Sequence, residues 1–467
     1  MENEHKKREI KDGQRAMIFL CLVVSGISSS VLSTAMTTAL PGVVEYFGIS
    51  TSVGQWITSG YSLAMGMIMP LTAFLITRFP TKRLYLTGIG AFIAGLLVSI
   101  FAGDFALMMV GRVLQACGNG VLMTAAQVVI MTIYPIKKRG TMMGTYGLAT
   151  TAAPVVAPTI AGLMIDAFGW KSIFYVSLVI MILSFIISCI VFEDVLELQD
   201  KKFDVVSFVE SIVAFGGVTL GIGNLSTFGI LSIEAGVPLL LGAVVCVFFV
   251  TRQCRLEKPF LDVKILVNRN YAVSVISSMV LYLVMMGSSV MMPLYVQSVM
   301  GYSAVVSGLV TLPGSLATAL VSPFAGKLYD EIGIKKIFVA GAAALVISNI
   351  GMFFLSMETP LWTAAALNVI RNISIGSLMM PLLTWGTSNV HPTKMADASS
   401  LLTSLRTIAG SIGSAVFVGI MTMVAASSAE SYGDNAMMHG MNMSFFWMAV
   451  GAAVLLLIAV FAVREKR

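Results

Sequence analysis

The sequence predicts an all-α polytopic membrane protein with fourteen transmembrane helices, two six-helix halves plus two inserted helices. Three observations predict it: apolar runs long enough to cross a bilayer, basic residues confined to one set of loops, and a loop that occurs twice. Of the 467 residues, 57% are hydrophobic and 11% charged. An average soluble domain carries about 25% charge. Such a chain cannot be solvated as a globule, and its place is a lipid bilayer.

The runs follow in order. The first, 17–40, comes after a tail charged with both signs and lacks a small-residue cleavage site, so it reads as a first span rather than a signal peptide. Runs at 53–76, 83–102, 106–131, 141–165 and 170–192 complete a first half. Two more, 205–224 and 231–251, form an insert. The runs 271–296, 304–325, 335–356, 360–388, 398–425 and 441–463 form the second half. Several exceed the ~20 residues a bilayer requires, which predicts tilted or kinked helices. The expected organisation is a tail over 1–16, a six-helix half over 17–192, an insert over 193–256 and a second half over 257–467.

Orientation follows from lysine and arginine. Of the 29 basic residues, only Lys171 falls in one set of loops, and Arg112, Arg371 and Arg406 fall inside runs. All the others lie in the opposite loops and the tails, for example Arg78, Lys82 and Arg83, Lys137 to Arg139, and Lys335 and Lys336. Both termini are therefore expected in the cytoplasm and the protein in the cell membrane. The net charge of +6 is spread over short loops. It is a topology signal and not a nucleic-acid footprint. No Walker loop is present, and neither the three His nor the five Cys form a metal-ligand spacing. No enzyme activity, metal or cofactor is expected. No oligomeric state follows from the sequence.

The repeat lies in two loops. Ala73 to Arg83 and Gly326 to Lys336 align without a gap and end in paired basic residues, each after the second run of a half. Duplicated halves with a substrate site between them are a transporter architecture. Arg112 and Arg371 recur at a similar spacing inside apolar runs, where a charge is costly and must face a cavity or a partner. Gln115 and Asn119 share a face with Arg112 at i+3 and i+7, a candidate cavity wall. Asn368 stands beside Arg371. Tyr61, Tyr146 and Tyr282 are candidates for stacking on a planar or cationic substrate. Arg406 has no role that the sequence assigns. Glu210, in the insert, is the one acid well inside a run.

These pieces together resemble the major facilitator superfamily, in particular its fourteen-span drug:proton antiporters and their lincomycin-resistance-like branch. The resemblance rests on Ala39-Leu40-Pro41, Gln55-Trp56-Ile57-Thr58 with Tyr61, Gly111-Arg112-Val113-Leu114-Gln115, Pro154 to Gly162, Trp170-Lys171-Ser172-Ile173-Phe174, Leu312-Pro313-Gly314 and the loop from Gly326 to Lys336. It implies gating loops at Arg78, Lys82 and Arg83 and at Gly326, Asp330, Gly333 and Lys335. The second copy keeps the carboxylate as Asp330, whereas the first has Thr77 in its place. The resemblance also implies an antiporter-motif helix at Gly147, Ala153, Pro154, Ala157, Pro158 and Gly162, with alanines where glycine is usual. The substrate pathway would include Ser33, Thr37, Tyr61, Arg112, Gln115, Asn119, Tyr146, Tyr282, Asn368 and Arg371. Relatives often carry an acid before the Ala-Leu-Pro; here Ser33 to Thr38 offer only hydroxyls. The implied function is efflux of a small amphipathic substrate by alternating access, driven by a proton gradient. Export of an endogenous solute, lipid or peptide is the alternative. A non-transporting sensor should carry an added soluble domain, and no loop or tail is long enough for one.

Overall fold

A computed structural model describes residues 12–49, 51–54, 56–196, 198, 204–228, 232–257, 259–302 and 304–463. Its long helices are α1 (Asp12–Phe47), α2 (Trp56–Arg78), α3 (Thr81–Ile100), α4 (Phe105–Ile133), α5 (Ile136–Phe168), α6 (Ser172–Val191) and α7 (Val205–Phe228). They continue as α8 (Ile233–Arg255), α9 (Arg269–Leu294), α10 (Ala304–Ile332), α11 (Ile334–Phe353), α12 (Leu361–Ser388), α13 (Met395–Ser427) and α14 (Ala436–Leu457). Among the described residues, 12 helices are long and apolar enough to cross a membrane. The other two, α2 and α5, carry stretches whose side chains lie outside the described residues. So do the side chains of Thr37, Pro154 and Pro158. Of the basic loop and tail residues, Lys6, Lys7, Arg8, Lys11, Lys201, Lys202, Lys258, Arg464, Lys466 and Arg467 fall outside them as well.

Local chemistry sets several helix starts. Asp104 caps α4 by accepting from the Leu107 amide at 2.8 Å. Ser232 does the same for α8 through the Ala235 amide at 3.1 Å, and Asn268 caps α9 through Asn270 and Tyr271. Each such cap is worth about 1 kcal/mol. Pro293 removes a backbone donor near the end of α9, and the chain passes directly into a π-turn at Tyr295–Val299.

Helix ends depart from the apolar runs, because backbone bonding continues past the apolar stretch. α1 extends to Phe47, and α13 starts at Met395. The second shift corrects the count of acids inside the runs. Asp397 lies in the first turn of α13 and is only 2% exposed.

Two apolar cores organise the bundle. One gathers side chains of α1 to α6 and the other side chains of α9 to α14. The first core also takes in Tyr271, Val275, Met380, Leu383, Leu401 and Leu402, from the ends of α9, α12 and α13 that lie beside basic loops. Helices α7 and α8 pack on each other through Gly217, Gly221 and Gly242. A methyl on Gly217 would sit 2.8 Å from the Pro238 carbonyl oxygen. The outer surface is apolar: Ile190 is 79% exposed, Phe461 74% and Leu240 69%. An apolar exterior of this extent calls for lipid rather than water.

The starts of α1 and α9 lie at one end of the bundle. There Gln14 donates to the Val191 carbonyl, the Lys82 amide bonds Asp194 at 2.9 Å, and Asn268 reaches the Asn389 carbonyl. This is termed the basic end. At the opposite end Lys171 bonds the Ile100 carbonyl at 3.1 Å and sits over the Tyr46 ring.

Candidate functional site

Four groups of polar residues lie among these helices. In the first, Arg112 of α4 is fully buried. A desolvated guanidinium needs partners. It donates through Nε to the Ile57 carbonyl at 3.1 Å and through Nη1 to Gln115 Oε1 at 2.7 Å, and its face lies 4.2 Å from the centre of the Tyr61 ring. Gln115 in turn donates to the Gly95 carbonyl at 3.0 Å and Ser99 Oγ at 2.9 Å on α3. Asn119 donates to the Tyr61 hydroxyl at 2.8 Å. The stripe expected as a cavity wall is therefore closed. Arg112 and Asn119 face α2, Gln115 faces α3, and Tyr61 covers the guanidinium. Two glycine pairs bring the helices this close. A methyl on Gly95 would meet the Gly111 carbonyl at 2.6 Å, and one on Gly118 would meet the Gly88 carbonyl at 2.6 Å. The seven-residue spacing of Gly88 and Gly95, and of Gly111 and Gly118, was the available sequence signal.

The second group mirrors the first in α9 to α14. Arg371, 2% exposed, donates to Asn368 Oδ1 at 2.5 Å and to the Met352 sulfur at 3.1 Å. Asn372 bonds Asn368 and accepts from Thr318 at 3.0 Å. Gly314 makes room for both asparagines, each amide nitrogen lying 2.7 Å from where a methyl would stand.

The third group joins α5, α9 and α13. Arg406 lies over the Tyr282 ring at 4.9 Å and interacts electrostatically with Tyr146. Tyr146 packs on Gly26 of α1. One turn before Arg406, Thr403 donates to Gln127 of α4 at 3.2 Å. Ser33 is half-buried and joins none of these groups.

The fourth group is a seam at the basic end. The Asp330 carboxylate, at the end of α10, accepts from the Gly140 amide at 2.9 Å, the Thr141 amide at 2.7 Å and the Thr141 hydroxyl at 2.7 Å, all near the start of α5. Gly326 lies directly against the Gly140 carbonyl, and Gly144 against the Ser322 carbonyl. Gly147 extends the seam to Met380 and Ser322, with a methyl there lying 2.7 Å from Met380 Cγ. Gly333 turns the chain into α11 at a φ of 77°, a left-handed conformation suited to glycine. The Ser400 hydroxyl bonds the Met69 carbonyl, tying α13 to α2.

Other expected residues are not among the Gly140 and Thr141 groups that donate to Asp330. Arg78, Arg83 and Lys335 are exposed. Ala153, Ala157 and Ala161 are buried along α5, whereas a methyl on Gly162 would meet nothing within 4 Å. Thr77, at the carboxylate position of the first loop, donates to the Phe74 carbonyl at 2.8 Å.

Comparison with known proteins agrees with this architecture. The sequence profile of the Major Facilitator Superfamily matches residues 18–414. The chain is 30% identical to the uncharacterized MFS-type transporter YcnB of Bacillus subtilis over 446 residues, 96% of this chain and 94% of that one. It is 30% identical to the lincomycin resistance protein LmrB of Listeria monocytogenes, over 89% of each chain. The outward-conformation structure of the transporter FucP superposes with a TM-score of 0.64 at 13% identity, covering 97% of this chain and 100% of that one. The fold is thus the all-helical one of these transporters, with no enzyme among the matches described. The chain belongs to the major facilitator superfamily of membrane transporters.

Proposed function

We propose that the protein exports amphipathic small molecules across the cytoplasmic membrane in exchange for protons. It works by alternating access between two six-helix halves, α1 to α6 and α9 to α14, with α7 and α8 inserted. All fourteen long helices span, and the basic end with both termini faces the cytoplasm. The observation that carries this reading is the seam between α5 and α10. It is a smooth contact of glycine backbones, pinned by one carboxylate through three hydrogen bonds. Such a contact can separate as a unit and close again, which suits rocking of one half against the other. The likeness to a lincomycin resistance protein supports a drug-like substrate. Buried Asp397, close to the basic end, and half-buried Glu210 are the acids available to carry a proton.

The test is efflux from cells that lack their main exporters. Expression should lower accumulation of amphipathic dyes and raise drug resistance, and a proton uncoupler should abolish both. No change over a broad panel sinks drug export. Efflux that persists with the uncoupler sinks proton coupling.

A further inference from the structure

We infer that Arg406 is an anion-recognition site at the centre of the transporter, and that the preferred substrates are amphipathic anions or zwitterions. The inference rests on the transport reading and names its substrate class. Its ground is a contrast among three buried arginines. Arg112 and Arg371 each keep one buried nitrogen unpaired, Nη2 and Nε respectively, but their other donors are served: Arg112 bonds a carbonyl and a glutamine, and Arg371 bonds an asparagine and a methionine sulfur. Arg406 is 3% exposed and, among the described residues, makes no hydrogen bond or ion pair. Its one close partner is the face of Tyr282. A ring face compensates only a fraction of what a buried guanidinium loses on leaving water. A planar fork of donors in that condition fits a carboxylate, sulfonate or phosphate.

Position supports the same assignment. Arg406 stands about 16 Å along α13 from its start, by the rise of an α-helix, so it lies deep between the membrane faces. Its neighbours come from both helix groups: Tyr282 belongs to α9 and Tyr146 to α5. Gly410, one turn on, lets α13 pass close against α9, a methyl there lying 2.9 Å from Met286 Cγ and 3.3 Å from the Tyr282 ring. The buried acid on the same helix, Asp397, lies about 13 Å before Arg406 by the same rise, too far to pair with it. A cationic substrate at this layer would meet an uncompensated positive charge, whereas an anionic one would supply the missing partner, with two tyrosine rings for its apolar body.

Two probes that share a xanthene ring decide the matter: anionic fluorescein and the cationic ethyl ester of rhodamine. Binding is measured by fluorescence anisotropy on the full purified chain in a non-ionic detergent. The wild type should bind fluorescein more tightly. Arg406→Gln should weaken fluorescein about tenfold to a hundredfold, the loss of one charged hydrogen-bonding group, and should leave the cationic dye unchanged or tighter. A folded Arg406→Gln that binds fluorescein like wild type overturns the inference. So does a wild type that prefers the cation or binds neither dye. If Arg406→Gln does not fold, Arg406→Lys decides. A drop for fluorescein alone supports the planar fork, and no drop overturns it. Export is read separately. Fluorescein bound through Arg406 but not exported removes the export reading and leaves the site. Efflux of anionic dyes by Arg406→Gln at the wild-type rate does the reverse.

Discussion

Single residues carry more in this fold than their chemistry alone suggests. Arg112 is visible in the sequence as an expense, a charge inside an apolar run, and the structure meets most of it, through bonds from Nε and Nη1 and the face of Tyr61, with Nη2 left unpaired. Replacing it with Ala removes the donor to Gln115 Oε1 and a second donor to the Ile57 carbonyl, which keeps its bond within α2. The orphaned glutamine oxygen costs about 1–3 kcal/mol. Arg112→Ala should therefore lower the melting temperature of the purified protein and abolish efflux. Wild-type efflux would remove Arg112 from the mechanism. What the sequence could not reveal is direction. Gln115 and Asn119 share one helical face with Arg112, yet they turn to different neighbours, because Gly95 and Gly111 bring α3 within reach of Gln115 alone. Arg406 was equally visible and gave no hint of its isolation, since partnership depends on helices far away in the chain.

At the scale of elements, the seam makes a sharp prediction. A side chain at Gly144 or Gly326 would collide with backbone across the contact. Gly326→Val should fold but fail to close at the basic end, and so lose transport. Alkylation of a cysteine placed at Ser322 should report this, slow in the parent and fast in the variant. Asp330→Ala should raise the same rate with a smaller effect. The insert has its own small anchor, Asp204 against Arg252 at 2.9 Å. Burial works against ionising Asp204, but hydrogen bonds from Ser207 and Arg252 and the charge of Arg252 outweigh it and hold its carboxyl below the ordinary value. A depressed carboxyl stabilises the fold above its unfolded value, about 3.9, and loses that contribution as pH falls through the folded one. Thermal melts of wild type and Asp204→Asn should differ at neutral pH and converge in strong acid. The difference should be modest, as for other partly exposed pairs.

For the whole molecule, the order of helices was the most legible feature. Apolar runs and basic loops are one-dimensional signals, and hydrophobicity and charge act on them directly during membrane insertion. With the five native cysteines replaced, an impermeant thiol reagent added outside intact cells should label a cysteine at Lys171. It should not label one at Lys82 or Lys264. Labelling at Lys264 would mean an odd number of crossings before it and would break the proposed arrangement. Less legible was which ends meet. Asp330 was singled out as the carboxylate of a gating loop, but two of its three donors are backbone amides, and an amide has no letter of its own. Asp397 was hidden for another reason. It sits at the rim of an apolar run, and only the continuation of α13 past that rim buries it.

The use of amides at this carboxylate also shapes what mutation can reach. Of the three donors to Asp330, two belong to the main chain of α5 and survive nearly every substitution there. Heritable variation in these hydrogen bonds must then come mainly through Asp330 itself and the Thr141 hydroxyl. The closeness of the contact can be altered from either side, at Gly326 and Ser322 of α10 or at Gly140, Gly144 and Gly147 of α5. A genetic screen for hyperactive or stalled exporters should return hydrogen-bond lesions at Asp330 and Thr141, and steric lesions at the seam glycines of both helices.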